Sequence, residues 1–327
     1  MRKDALIDRR TVLAGAAAAC LPGIAPAQAA WPNRPVRIID AAAPGGSTDV
    51  LSRLVGNALA PRLGQSFVVE NKPGAGLVIG TDFVAKSPPD GYTYLMATTA
   101  MCTLVASGRK LPFDYLKDLV PVGQIATTPL IVVVPGDSPF KTLGDLVERA
   151  RSQPEAVRFS STGLGSMSHI GMELLAAQAK MKMLHVPYKG VSLSIPDLLS
   201  GQIHAAVGTV PTYAALLESG KMRALAVTAS QRSASMPNVP TSAESGFADY
   251  RIEFFWGLMA PAATPAEIVR RMNSELAAVV ALPETRAFLE RQAASPATLS
   301  PEEFHRVNSF EINRWSKLIR EANIKIE

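Results

Sequence analysis

Cysteine is almost absent: 327 residues contain only Cys20 and Cys102. Cys20 falls in an N-terminal stretch with the marks of a leader. After its removal one thiol is left and no internal disulfide is possible. Histidine is as sparse, with His169, His185, His204 and His305 scattered, and no HExxH or Cys/His cluster offers a metal site. Aromatic residues make up 6% of the chain and no run of Lys or Arg occurs, which excludes the stacking platforms and basic stripes that hold nucleic acid. The chain has no GxxxxGK[ST] phosphate loop and no GxSxG nucleophile elbow. Gly163-Leu-Gly-Ser-Met-Ser168 lacks the third glycine of a dinucleotide loop, and Gly74-Ala-Gly-Leu-Val-Ile-Gly80 has one residue too many before its last glycine.

What is present begins with residues 1–29. Arg2, Lys3, Arg9 and Arg10 form a basic start, Thr11 to Ile24 a short alanine-rich apolar stretch broken by Gly15, Pro22 and Gly23, and Ala27-Gln-Ala29 a small-residue cleavage site. The pattern predicts a signal peptide cleaved after Ala29, too short and broken to span a bilayer permanently. Arg9-Arg10 followed by Thr-Val-Leu resembles the twin-arginine signal; two arginines in an ordinary Sec signal fit as well. Ala17-Ala-Ala19 before Cys20 is a poor lipoprotein box. Export to the periplasm removes access to cytoplasmic ATP and NAD(P)H. The full chain carries +5, and without the leader +3, a mild excess that could attract anions.

Apolar β-rich runs alternate with helical patterns, which predicts an α/β chain. The expected strands are Val36–Ala43, Phe67–Glu70, Thr93–Thr98, Ile131–Val134, Arg158–Ser161, Leu184–Pro187, Ala205–Val207, Ala224–Thr228 and Phe255–Ala260. Thr142…Asp145, Thr264-Pro265…Glu267 and Ser300-Pro301…Glu303 read as helix starts with capping boxes, the last opening a long helix with Phe304, Val307, Trp315, Leu318, Ile319 and Ala322 on one face.

Two junctions share one design. Val36–Ala43 runs into Pro44-Gly-Gly-Ser-Thr-Asp49 and a periodic helix; Arg158–Ser161 runs into Thr162-Gly-Leu-Gly-Ser166 and another. A helix that starts at such a turn aims unpaired N–H groups and its positive dipole end at whatever fills the turn, so each junction is a candidate anion site. A turn that serves only strand-to-helix geometry, with Ser47, Thr48 or Asp49 as a cap, accounts for either alone. Asp49 would repel an anion and is read as holding the loop. One junction in each half of the chain points to two lobes facing a shared cleft.

Other residues carry weaker signals. His169 neighbours Ser166 and Ser168 but has no acid placed to orient it, which favours a structural role over catalysis. Lys189 either draws anions or is solvated, Tyr188 either walls the cleft or packs within its lobe, and Trp256 reads as core or hinge in preference to a ligand contact.

The chain resembles the Bug family, the periplasmic solute receptors of tripartite tricarboxylate transporters. The marks span the chain after its leader: Trp31-Pro-Asn-Arg-Pro-Val-Arg37, Pro44-Gly-Gly-Ser-Thr-Asp49, Glu70-Asn-Lys-Pro-Gly-Ala-Gly76, Pro88-Pro-Asp-Gly-Tyr92, Ser161-Thr-Gly-Leu-Gly-Ser166, His185-Val-Pro-Tyr-Lys-Gly190, Leu225-Ala-Val-Thr228, Pro237-Asn-Val-Pro-Thr241, Glu244-Ser-Gly246 and Trp256-Gly257. The resemblance implies a type II periplasmic-binding-protein fold with two α/β lobes, residues 30–129 plus 252–327 forming the first and 130–251 the second. It implies crossings near 128–131 and 250–253, with the C-terminal helices returning to the first lobe.

By the same resemblance a ligand carboxylate would meet Gly46, Ser47 and Thr48 from one lobe and Thr162, Gly163, Gly165 and Ser166 from the other. Asp49 would organise its loop, and Thr98, Thr99, Tyr188, Gly208 and Thr209 are possible specificity positions. The implied function is capture of a small carboxylate and its delivery to a tripartite tricarboxylate-type membrane permease, with no catalysis, cofactor, metal, nucleic acid or membrane span. A soluble sensor feeding a membrane kinase is the first alternative and a periplasmic hydrolase on the same scaffold the second. Leu77 departs from the family's small glycine, and Ala100-Met-Cys-Thr-Leu-Val105 from its Asn-Pro element. Gly201–Gly208 lacks the acids often found there to pair with a ligand ammonium, which turns the expectation toward a plain mono- or dicarboxylate over an amino acid.

Overall fold

The computed structural model describes residues 31–321 and 324, apart from 189, 230 and 234. The leader, Cys20, Lys189 and Ala322 lie outside the described residues.

Strands β1 (Val36–Asp40), β2 (Phe67–Asn71) and β3 (Thr93–Thr98) are parallel, joined by helices α1 (Ser47–Leu63) and α2 (Val78–Ala85). Helix α3 (Thr99–Ala106) leads to β4 (Leu119–Pro135), a strand of 17 residues. Strand β9 (Glu253–Pro261) inserts antiparallel between β3 and β4. The second half of the chain supplies α4 (Leu143–Ser152), β5 (Arg158–Ser161), α5 (Met167–Gln178), β6 (Leu184–Pro187), α6 (Val191–Leu199), β7 (Ala205–Thr209), α7 (Val210–Glu218) and β8 (Met222–Val227). After β9 come α8 (Ala266–Val280), α9 (Pro283–Arg291), the two-residue β10 (Ser295–Pro296) and α10 (Pro301–Glu321).

Strand β4 belongs to both sheets. Its Leu119–Pro129 stretch pairs with β9, and β10 adds to it at Ala126 and Thr127. From Leu130 onward the partners are β7 and β8. Side chains alternate across a strand. Leu130, Val132 and Val134 therefore enter a core with Phe159, Ile170 and Leu175, while Ile131 and Val133 enter another with Leu198, Val210 and Tyr213. Burial on both faces explains the unbroken apolar run.

Only Ile131–Val134 of this strand is foreseen from the sequence. The strand runs on through Pro121 and Gly123 with register shifts between Pro121 and Gly123 and between Gln124 and Ala126. β1 stops at Asp40, short of the expected Ala43.

The Thr142 box is formed, with the Asp145 amide 3.1 Å from Thr142 Oγ1 and the Thr142 amide 2.9 Å from Asp145 Oδ2. Ser300 and Glu303 make the same exchange. Thr264 does not cap: Pro265 is the N-cap of α8, and the buried Thr264 hydroxyl has no partner. Helix α10 packs on α3 and β4. Its Phe304 and Ile312 join the core behind β1, β3 and β9, whereas Trp315 and Ile319 join the core around Val132 and Phe159.

Candidate functional site

Each glycine junction sits at the carboxyl end of a parallel strand. At the first, Gly46 is the N-cap of α1 and makes no side-chain cap bond. Gly45 turns the chain with φ +85°, a conformation open to glycine. Its amide donates to Asp49 Oδ2 at 3.0 Å, and Arg53 Nη2 donates to Asp49 Oδ1 at 2.9 Å. The Gly45 bond, with Arg53 beside it, holds the Asp49 carboxyl below its ordinary pKa, so Asp49 is an ionised brace for the loop. Ser47 is half-buried and Gly46 exposed. Thr48 is buried, and its Oγ1 accepts the indole N–H of Trp256 at 3.1 Å. Trp256 is thus a core residue, as its sequence context implies, and it anchors the first turn of α1.

At the second junction Gly163 and Gly165 have φ +118° and +74°. Ser166 caps α5, its Oγ accepting the His169 amide at 3.3 Å. Ser168, which the sequence reading did not single out, gathers the loop: its Oγ lies 3.0 Å from the Thr162 amide, 3.3 Å from Thr162 Oγ1 and 3.1 Å from Ser166 Oγ.

Behind this loop His169 is 3% exposed and takes the Gly165 amide on Nδ1 at 3.2 Å. Its ring stacks on His185 with centroids 4.1 Å apart, and Phe159 continues the stack at 4.9 Å from His185. Burial, then the neighbouring His185, pushes the His169 pKa down to about 4. Ser161 Oγ lies 2.6 Å from His185 Nε2 and also accepts the Gly163 amide at 3.0 Å. Ser161 is buried, and among the described residues no acid bonds His185 to orient it as a base. The histidines are struts, as the sequence implies for His169.

The specificity candidates separate. Thr98 joins Thr48 in lining a cavity of about 140 Å³ beside the first junction, together with Asp40, Leu77, Met101 and Phe254. No residue of the Thr162–Ser166 loop lines that cavity. Thr99 is fully buried, and its hydroxyl accepts the Phe255 amide at 2.8 Å and faces the Glu253 carbonyl at 3.4 Å. That role ties α3 to β9. Tyr188 donates its hydroxyl to Asp197 at 2.5 Å and rests its ring on the core of Ile131 and Val133. Gly208 lies under Tyr213, where an added Cβ would come within 3.0 Å of the ring. Thr209 Oγ1 pairs with Thr212 Oγ1 at 2.8 Å. Leu77, at φ +76°, holds a left-handed conformation unusual for a branched side chain.

Asp40 is the residue sequence reasoning missed. It is 1% exposed at the end of β1. Oδ1 accepts the Ala42 amide at 2.8 Å, while Oδ2 has no partner. Burial raises its pKa to about 6. An acid ending an apolar strand just before a glycine turn is the one sequence signal it gives.

Among the described residues no cluster of His, Cys, Asp and Glu could hold a metal ion, and no helix is long and apolar enough to cross a membrane.

The model of the tripartite tricarboxylate transporter family receptor matches residues 51–324, beginning just past the first glycine loop. A protein encoded in the tcbD–tcbE intergenic region of Pseudomonas sp. (strain P51) is 36% identical over 321 residues, 97% of this chain and 96% of that one. Protein BugT of Bordetella pertussis is 34% identical over 302 residues, 91% and 92% of the two chains. Among solved structures, R. palustris Rpa4515 with adipate superposes with a TM-score of 0.81 at 34% identity, covering 90% of this chain and 99% of that one. The α/β architecture is that of the periplasmic binding proteins, and the chain belongs to the tripartite tricarboxylate transporter receptor family, the Bug-type solute-binding proteins.

Proposed function

We propose that this protein is an exported receptor that captures a small carboxylate between two lobes and delivers it to a tripartite tricarboxylate-type permease. The lobes are residues 30–129 plus 252–327 and residues 130–251, hinged where β4 changes partners after Pro129 and where Ile252 leads into β9. The observation that carries the reading is the pair of glycine-loop helix starts, one ending β1 and one ending β5, each braced from within its own lobe by Asp49 or by Ser168 and His169. Gly46, Ser47 and Thr48 would receive the carboxylate from one side, and Thr162, Gly163, Gly165 and Ser166 from the other.

Each helix terminus contributes about 0.3–1 kcal/mol toward an anion, more as closure excludes water. Affinity near micromolar, about −8 kcal/mol, is the matching scale. Ligand must favour the closed form for a membrane partner to sense occupancy. Adipate in the related Rpa4515 structure is a dicarboxylate and supports the ligand class. Residues 1–29 would be the export signal and the periplasm the location. A hydrolase is disfavoured because no nucleophile, base and orienting acid come together among the described residues.

A thermal-shift screen of the exported form against mono-, di- and tricarboxylates, amino acids and uncharged solutes tests the reading. A carboxylate at 100 times its dissociation constant adds about 2.7 kcal/mol of stability, and Ser47→Ala with Ser166→Ala removes most of that gain. Stabilisation by uncharged solutes alone, or product formation from a bound compound, would refute it.

A further inference from the structure

The cavity beside the first junction is mostly apolar, walled by Leu77, Ala97, Met101 and Phe254, with Thr48 and Thr98 at its polar side. Asp40 also lines it and has an oxygen free of any protein partner. A buried polar atom without a partner is costly, and a carboxylate more so. The cation whose charge acts on Asp40, Arg53, is taken up by Asp49 at 2.9 Å and by Asn71 at 3.0 Å and offers Asp40 no direct bond. Asp49, the other close charge, has the same sign and opposes the ionised form. The site therefore holds an acceptor with negative charge, mostly apolar walls, and no directly bonded counter-ion among the described residues.

Resting on the carboxylate reading above, we propose that Asp40 receives a cationic nitrogen of the bound solute, so that the ligand is an amino-carboxylate. Its carboxylate meets the N-terminus of α1 at Ser47 and Thr48, and its ammonium enters the cavity that Thr48 shares with Asp40. A ligand hydroxyl would satisfy one lone pair of Oδ2 but leave the charge uncompensated; an ammonium does both. The acid sought in the second lobe at Gly201–Gly208 is supplied instead by the first lobe. This reverses the expectation of a plain mono- or dicarboxylate. The size of the cavity favours a short, unbranched amine-bearing chain over an aromatic one.

The test is calorimetric titration of the exported form at pH 7.5 with skeleton-matched sets: succinate, malate and aspartate; glutarate and glutamate; adipate and 2-aminoadipate. The amino member of at least one set is expected to bind wild type tenfold or more tighter than its unsubstituted partner. Asp40→Asn, which keeps the oxygen that accepts the Ala42 amide, should erase that preference and leave the unsubstituted acid bound as well or better. Equal binding of the amino and unsubstituted members, preference for malate over aspartate, or a preference that survives Asp40→Asn overturns the proposal. Failure of every carboxylate to bind removes the functional reading itself and the proposal with it. Should Asp40→Asn not fold by circular dichroism, the matched sets on wild type still decide.

Discussion

The indole N–H of Trp256 donates to Thr48 Oγ1 at 3.1 Å, joining the middle of β9 to the first turn of α1. Two residues 208 positions apart thereby fix the helix start that the proposed carboxylate would meet. Trp256→Phe keeps the ring in the core but deletes the donor. Stability should fall by about 0.5–1.5 kcal/mol in denaturant melts. Carboxylate affinity should weaken several-fold, because the loosened turn aims its N–H groups less well. Unchanged affinity would show that the turn is held without the tryptophan.

Asp40 titrates with a sign set by burial. Its pKa rises from the ordinary 3.8 to about 6 on folding, so the folded chain holds the proton more tightly than the unfolded one. Stability from this group is complete below pH 3.8 and is lost as pH rises through about 6, on the order of 2–3 kcal/mol. Asp40→Asn should therefore melt near wild type at pH 4 and several degrees above it at pH 7.5 in the absence of ligand. Melting curves collected across that range check it.

His169 works in the opposite direction. Its pKa falls from 6.5 to about 4, so its contribution is complete above pH 6.5 and drains away as pH falls through about 4, on the order of 3 kcal/mol. Protonation of Nδ1 would also cost the Gly165 amide its acceptor. His169→Phe, which preserves stacking and removes the titration, should flatten the acid limb of stability between pH 6.5 and 4. It should also weaken carboxylate binding at pH 7.5, since Gly165 loses its tether. Titration by NMR with an apparent His169 pKa near 6.5 would contradict the burial argument.

Thr228 ties Leu130 of β4 to Ile252, just before β9. Its hydroxyl accepts the Leu130 amide at 2.9 Å and donates toward the Ile252 carbonyl at 2.6 Å. Its backbone continues the link through Thr228 N to Leu130 O at 2.9 Å and Ile252 N to Thr228 O at 3.2 Å. Thr228→Val fills nearly the same space but orphans buried groups, at a cost of about 1–3 kcal/mol. Urea titration reads the stability, and small-angle scattering with and without ligand reads whether the proposed closure of two lobes survives the substitution.

Features written in short-range chemistry were legible in the sequence. The Thr142 and Ser300 caps and the strand–glycine–helix junctions at Pro44–Asp49 and Thr162–Ser166 each depend on a few adjacent residues. Features that depend on distant partners were not. Thr264 has the spacing of a cap, but the chain enters α8 through Pro265 and leaves its hydroxyl idle. Thr99 sits next to Thr98 in sequence, yet one faces the cavity and the other is consumed by β9. The stack of His169 on His185 arises because β5 and β6 are parallel neighbours, a pairing no local pattern encodes. Asp40 ends an apolar strand like any boundary residue, and only the walls assembled around it leave its second oxygen alone.

Strand β4 gives half of its ladder to β9 and the other half to β7 and β8, with Pro129, which has no N–H to share, next to the handover. Neither half of the molecule owns a complete sheet. Dissecting the protein at this crossing would bare a fresh hydrogen-bonding edge on both fragments and invite each to pair with copies of itself. Separately produced fragments should therefore precipitate unless they are made together and reassemble through the severed strand.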